Sequence, residues 1–175
     1  MIRTTLFVVA LALVLEPASA QTARQVKSGE LVRVSDGLTV KVTTGAKTPF
    51  AKVKLAGAPF VVVVELDAGK NETALSYKLT ADAKSSDLYL TVGTKKLVPR
   101  AVMEDFPSWG GDNDKEVEAV DPRDDGAVSL SFKRAGSISL LFDVPADQAS
   151  APKKLSILVR TVKPAEAEHS FVVTL

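Results

Sequence analysis

The chain has 175 residues, a formal charge of +1 and no cysteine. Disulfides, thiol nucleophiles, zinc–thiolate sites and iron–sulfur clusters are therefore excluded. A single histidine and two methionines give copper handling little support, and a near-neutral total provides no overall field for nucleic acid or an anionic membrane.

Residues 1–20 have the three-part layout of a cleavable secretory signal. Arg3 supplies the charged start, residues 6–15 (LFVVALALVL) form an apolar run, and Ala18-Ser19-Ala20 offers small residues at the cleavage point. The run is shorter than the roughly 20 residues of a spanning helix. With no cysteine after the cleavage point, a lipoprotein-type anchor is not expected. The expected product is periplasmic or extracellular, with no membrane insertion after cleavage. Residues 21–29 read as a loose lead-in, and residues 30–175 as a single β domain.

From residue 30 the dominant period is two. Leu38, Val40 and Val42 alternate with Thr39, Lys41 and Thr43; Leu75, Tyr77 and Leu79 with Ser76, Lys78 and Thr80; Val128, Leu130 and Phe132 with Ser129, Ser131 and Lys133. Each pattern predicts a strand with one wet and one packed face. Phe60-Val61-Val62-Val63-Val64 is apolar throughout, as expected of a central strand covered on both faces. Further strands are expected at 31–34, 88–92, 97–102, 138–144, 155–162 and 171–175. Asp36-Gly37, Gly93-Thr94 and Arg134-Ala135-Gly136 supply turns between them. Only residues 146–150, after Pro145, suggest a helical turn. The fold class expected is all-β, an antiparallel immunoglobulin-like β-sandwich.

The order FVVVVELDAGKNET (60–73), a hairpin region, then GSISLLFDVPAD (136–147) resembles the exported bacterial immunoglobulin-like domains of unknown function. Some of those belong to surface lipoproteins and secreted antigens. In that family a long strand ends at a short polar turn, and a later strand with the FDVP ending crosses the opposite sheet. The resemblance implies an immunoglobulin-like sandwich and supplies no catalytic residues. This chain departs from it in lacking an anchor cysteine and in carrying a long acidic insertion.

Charge is distributed unevenly. Residues 21–58 hold seven Lys/Arg against two Asp/Glu, whereas residues 101–125 hold nine acids against Lys115 and Arg123. The segment 103–126 reads as an acidic loop carrying the only tryptophan, Trp109. Three readings of it stand. Asp112, Asn113, Asp114, Glu116 and Glu118 offer closely spaced oxygens to calcium, although the glycine and distal glutamate of an EF-hand are missing. Trp109, with Asp112, Asp114 and Glu116, offers an aromatic anchor ringed by acids to a protein or glycan partner. Alternatively the acids solvate a loop while Trp109 packs on the sandwich rim.

Other candidates are sparse. His169 has no positioned nucleophile in the sequence and reads as structural. No G-x-S-x-G turn exposes a serine. Glu104 with Asp105, or Asp112 with Glu116, are the carboxylate pairs a hydrolase would need. Asn71-Glu72-Thr73 matches a glycosylation acceptor that a bacterial exporter would leave idle. Aromatic residues are too few for a base-stacking platform. The function expected is a non-enzymatic binding or interaction module of the cell envelope, with a calcium-stabilised domain and a carboxylate hydrolase as alternatives. No nucleic-acid partner is expected, and the oligomeric state stays open.

Overall fold

A computed structural model describes residues 23–34, 37–46, 48–67, 75–80, 82–105, 117–119, 128–132, 135–161 and 167–175. Among the described residues thirteen strands run in chain order: β1 (Arg24–Lys27), β2 (Leu31–Arg33), β3 (Thr39–Gly45), β4 (Ala58–Asp67), β5 (Leu75–Leu79), β6 (Leu88–Val92), β7 (Lys95–Leu97), β8 (Ala101–Asp105), β9 (Val117–Ala119), β10 (Val128–Phe132), β11 (Gly136–Val144), β12 (Lys153–Thr161) and β13 (Ala167–Thr174). The expected all-β class holds. No helix among the described residues is long and apolar enough to cross a membrane.

The strands form two sheets. One has the order β2-β3-β4-β11-β8-β9; the other has β1-β13-β12-β5-β10, with β6 pairing β12 and β7 pairing β6. Among the described residues every pairing is antiparallel except β1 with β13. The inward positions of both sheets meet in one core. Val40, Val42, Val62, Val64, Ile138, Leu140 and Phe142 come from the first sheet; Leu88, Leu90, Leu155, Ile157, Phe171 and Val173 come from the second. These β-branched, aliphatic and aromatic side chains fit a pleated surface, and each one buried stabilises the fold by about 1.5–3 kcal/mol.

The apolar run in β4 is explained by a second, smaller cluster. Val62 faces the main core, while Val61 packs outward with Phe50, Ala101 and Leu141. Phe50 closes a 3-10 turn (Thr48–Phe50), and Val53 and Leu55 continue the cover over the outer face of the first sheet.

The structure differs from the sequence expectation at four places. The lead-in at 21–29 contains β1, because Val26 is buried and pairs with Val173. The strand expected at 97–102 is two strands in different sheets. Pro99, which has no N–H to give a ladder, sits at the crossing, and Arg100 N–H bonds Leu141 O at 2.7 Å to begin the next pairing. Strand β11 is hydrogen-bonded to β4 over nine residues in the same sheet, so the opposite-sheet position implied by the resemblance does not hold. The acidic loop expected at 103–126 starts inside β8, and Val117–Ala119 pairs back on β8 as β9.

The turns fare better. Val92 pairs with Lys95 across a two-residue turn in which Gly93 has φ 58°, the left-handed conformation such hairpins need. Arg33 pairs with Thr39 around the turn expected near Gly37. At Arg134-Ala135-Gly136 the flanking strands β10 and β11 belong to different sheets and do not pair with each other. The helical turn after Pro145 is a 3-10 turn at Ala146–Gln148.

Candidate functional site

One edge of β12 is shared by two strands. Its start, Lys153 to Ile157, pairs with β6, and its end, Arg160 and Thr161, pairs with β5. Between β5 and β6 the chain makes an excursion from Thr80 to Asp87. Its serines, threonine and aspartates tie it down locally, as such short polar side chains do in turns. Asp82 Oδ1 accepts the Lys84 N–H at 2.9 Å and Asp82 Oδ2 accepts the Ser85 hydroxyl at 3.1 Å. Those bonds, the Lys84 N–H first, hold the Asp82 carboxyl below the usual carboxylate range. Ser86 Oγ receives the Thr80 N–H at 3.4 Å and donates to Leu88 O at 3.0 Å.

The far end of the excursion is anchored by charge. Arg160 donates from one guanidinium nitrogen to Asp87 Oδ2 and from Nε to Glu168 Oε1 at 2.9 Å. The Asp87 side chain is only 6% exposed, whereas Glu168 is 62% exposed, so Asp87 is the partner that has lost its water. The hydrogen bond to Asp87 accordingly raises the Arg160 pKa above its ordinary value.

An open cleft of about 740 Å³ lies between this excursion, the β6–β7 hairpin and the end of β11, lined by Asp82, Lys84, Lys96, Arg100 and Asp143 among others. Both its carboxylates are already engaged. Asp82 is held as described, and Asp143 accepts the N–H groups of Ala56 at 2.9 Å and Gly57 at 2.7 Å. Among the described residues, the side chains of Lys84 and Arg100 have no ion pair within 4.0 Å. Lys96 Nζ lies 4.3 Å from the centroid of the Tyr89 ring, a cation–π contact. Tyr89 also shares a hydrogen bond with Ser156, its register partner on β12, and this bond leads the lowering of its phenol pKa. The cleft thus sets Lys84, Lys96 and Arg100 beside two hydrogen-bonded carboxylates, one of which, Asp82, still feels the charges of Lys84 and Lys96. Three cations against two carboxylates leave the cleft lining with a net positive charge.

A second depression, of about 590 Å³, is acidic, with Glu65, Asp67 and Asp105 around Ser137. Glu65 there pairs with Lys41 at 3.4 Å. Asp105 and Glu65 both stand in register with Ser137, on either side of β11.

Of the residues singled out in the sequence, Trp109, Asp112, Asn113, Asp114 and Glu116 lie outside the described residues, as does the Asn71-Glu72-Thr73 triplet. Glu118 falls in β9 opposite Val102, with its backbone alone described. Glu104 and Asp105 are consecutive in β8, opposite Ile138 and Ser137, so their side chains leave on opposite faces and do not form a pair. His169 is partly buried in β13 opposite Val159, on the core side of its sheet. No group of three or more metal-binding side chains occurs among the described residues. The cleft is not legible in the sequence, because Lys84, Lys96 and Arg100 meet only through the excursion and the Pro99 crossing. No protein-family model and no curated protein matches the chain.

Proposed function

We propose that the chain is an exported immunoglobulin-like module that works by non-covalent binding and takes an anionic group in the Lys84–Lys96–Arg100 cleft. Export rests on the signal-like layout of residues 1–20. The sheet orders support the immunoglobulin-like assignment. If β3, β4, β11 and β8 are taken as strands A, B, E and D, and β13, β12 and β6 as G, F and C, the sheets follow the ABED and GFC orders of that fold.

The observation that carries the binding reading is Arg100. It is partly buried beside an aspartate whose two oxygens are both taken by backbone N–H groups. A guanidinium so placed is predisposed to a bidentate oxyanion. Titrating pyrophosphate into the protein at low salt, with amide chemical shifts as readout, tests this. Saturable shifts confined to residues 82–84 and 94–100 are expected, and the Lys84→Gln/Arg100→Gln double variant should weaken binding at least tenfold. Equal binding by that variant would overturn the reading, with Lys41→Gln on the other sheet as the charge control.

A further inference from the structure

The outer face of the second sheet carries a feature that only the strand register reveals. Lys96 on β7 stands opposite Thr91 on β6, Thr91 opposite Lys154 on β12, Lys154 opposite Thr174 on β13, and Thr174 opposite Lys27 on β1. Register partners share a face. The neighbouring row, Val26, Val173, Leu155 and Leu90, is buried in the core, so this row points to solvent. Lys27, Lys96, Lys154 and Thr174 are exposed and Thr91 is partly so. Five strands in succession therefore present Lys-Thr-Lys-Thr-Lys in a straight file. At about 4.8 Å per strand, the file is about 19 Å long with a charge every ~10 Å.

We propose that this file is a docking track for a linear anionic polysaccharide, with the cleft at its Lys96 end; the proposal rests on the reading that the cleft takes an anionic group. Lys96 belongs to both features, since it lines the cleft and begins the row. Among the described residues Lys27 and Lys154 have no ion pair within 4.0 Å. Glu30, at the turn beyond β1, has its carboxylate on the Lys27 backbone N–H at 3.2 Å.

The arrangement discriminates between polyanions. The adjacent outward row is Tyr89, Ser156, Val172 and Gln25, which carries no charge, and the arginine further along, Arg160, is engaged by Asp87 and Glu168. Charge thus lies along a line and is not spread over a plane, which suits a chain better than a membrane surface. A single-stranded nucleic acid is held by a basic groove combined with aromatic stacking, and Tyr89, the aromatic ring beside the row, already carries Lys96 on its face. Between the lysines, threonine hydroxyls both donate and accept, the same hydrogen-bonding character as sugar hydroxyls.

The test uses the full mature protein and heparin as a sulfated-polysaccharide probe, in fluorescence anisotropy at low salt. A labelled disaccharide reads the cleft alone, and a long chain reads cleft plus track. The long chain should bind at least tenfold more tightly than the disaccharide, with an affinity that falls steeply with salt. Lys27→Gln/Lys154→Gln should abolish that length advantage, flatten the salt dependence and leave disaccharide binding unchanged. Undiminished long-chain binding by this variant overturns the track while the cleft reading stands. Disaccharide binding that survives Lys84→Gln/Arg100→Gln overturns the cleft reading instead. Tighter binding to phosphatidylglycerol vesicles, or to single-stranded DNA of equal charge, than to heparin overturns the polysaccharide assignment. Circular dichroism melting of each variant checks that these exposed substitutions leave the fold intact.

Discussion

The Gly57 N–H donates to Asp143 Oδ1 at 2.7 Å, and a side chain at Gly57 has nowhere to go, since its Cβ would sit 2.2 Å from Val144 O. Together with the Ala56 N–H on Oδ2 at 2.9 Å, this clip fastens the start of β4 to the end of β11. The FDVP ending therefore has a mechanical meaning, in which the aspartate holds a backbone that must pass close by. Asp143→Ala should cost about 1.5–3 kcal/mol, as expected for hydrogen bonds to a charged group. Gly57→Ala should cost about 1–3 kcal/mol by overpacking. Urea denaturation checks both: the midpoints should fall with unchanged slopes, and a loss below about 0.5 kcal/mol at either site contradicts the clip.

The same segment carries the cover of the first sheet. Phe50 is fully buried against Val61, Ala101 and Leu141, outside the main core. If that outer layer is part of the cooperative unit, Phe50→Ala should destabilise the whole protein by about 3–5 kcal/mol, as a core phenylalanine would. A single, shifted unfolding transition is the expected result. A small early transition followed by an unchanged main one would mean that the cover opens alone.

Much of the sheet framework is readable because alternation and burial agree. In β6, β11, β12 and β13 the inward residues are large and apolar, so the period of two survives any local competition. Strand β1 was hidden because Arg24-Gln25-Val26-Lys27 has one apolar residue. As an edge strand it buries only Val26, and its partner is far along the chain. The β7–β8 break was readable in Pro99, whose missing N–H outweighs the apolar run around it. The candidate site was hidden for a different reason. The acidic segment attracts notice because its charges are contiguous in sequence. The lysine file is set by register among five strands, and no local window contains more than one of its three lysines.

The Arg160–Asp87 pair marks the point where β12 passes from β6 to β5, and removing it should be felt. Arg160→Ala is expected to cost about 1–3 kcal/mol by leaving the Asp87 carboxylate, 6% exposed, without its guanidinium; the 36% exposure of the Arg160 side chain holds the value below that of a fully buried pair. Glu168→Gln should cost less than about 1 kcal/mol, because Glu168 is 62% exposed. The sign of the pH dependence follows from the raised Arg160 pKa. A cation with a raised pKa contributes its stability below the unfolded value and loses it only as pH climbs through the folded one. The Arg160→Ala penalty should therefore be unchanged between about pH 6 and 9. A penalty that vanishes at the alkaline end of that window contradicts the assignment.

Tyr89 supplies the complementary case. Its hydrogen bond with Ser156, aided by Lys96, holds the phenol below its ordinary pKa, which is near 10 in an unfolded chain. Between the folded and unfolded values, the unfolded chain keeps a proton that the native protein has released, so stability rises with pH across that window. In a Tyr77→Phe background Tyr89 is the remaining phenol, and tyrosinate absorbance against pH reads it directly. The midpoint should lie below that of the denatured protein. Ser156→Ala should move it upward, and Lys96→Gln should do the same by a smaller step. Filling the cleft with pyrophosphate places negative charge beside Lys96 and should also raise the midpoint, which makes this titration an optical reporter of occupancy at the site. If Tyr89 titrates at or above its unfolded value, the Ser156–Tyr89–Lys96 arrangement is not the one present in solution.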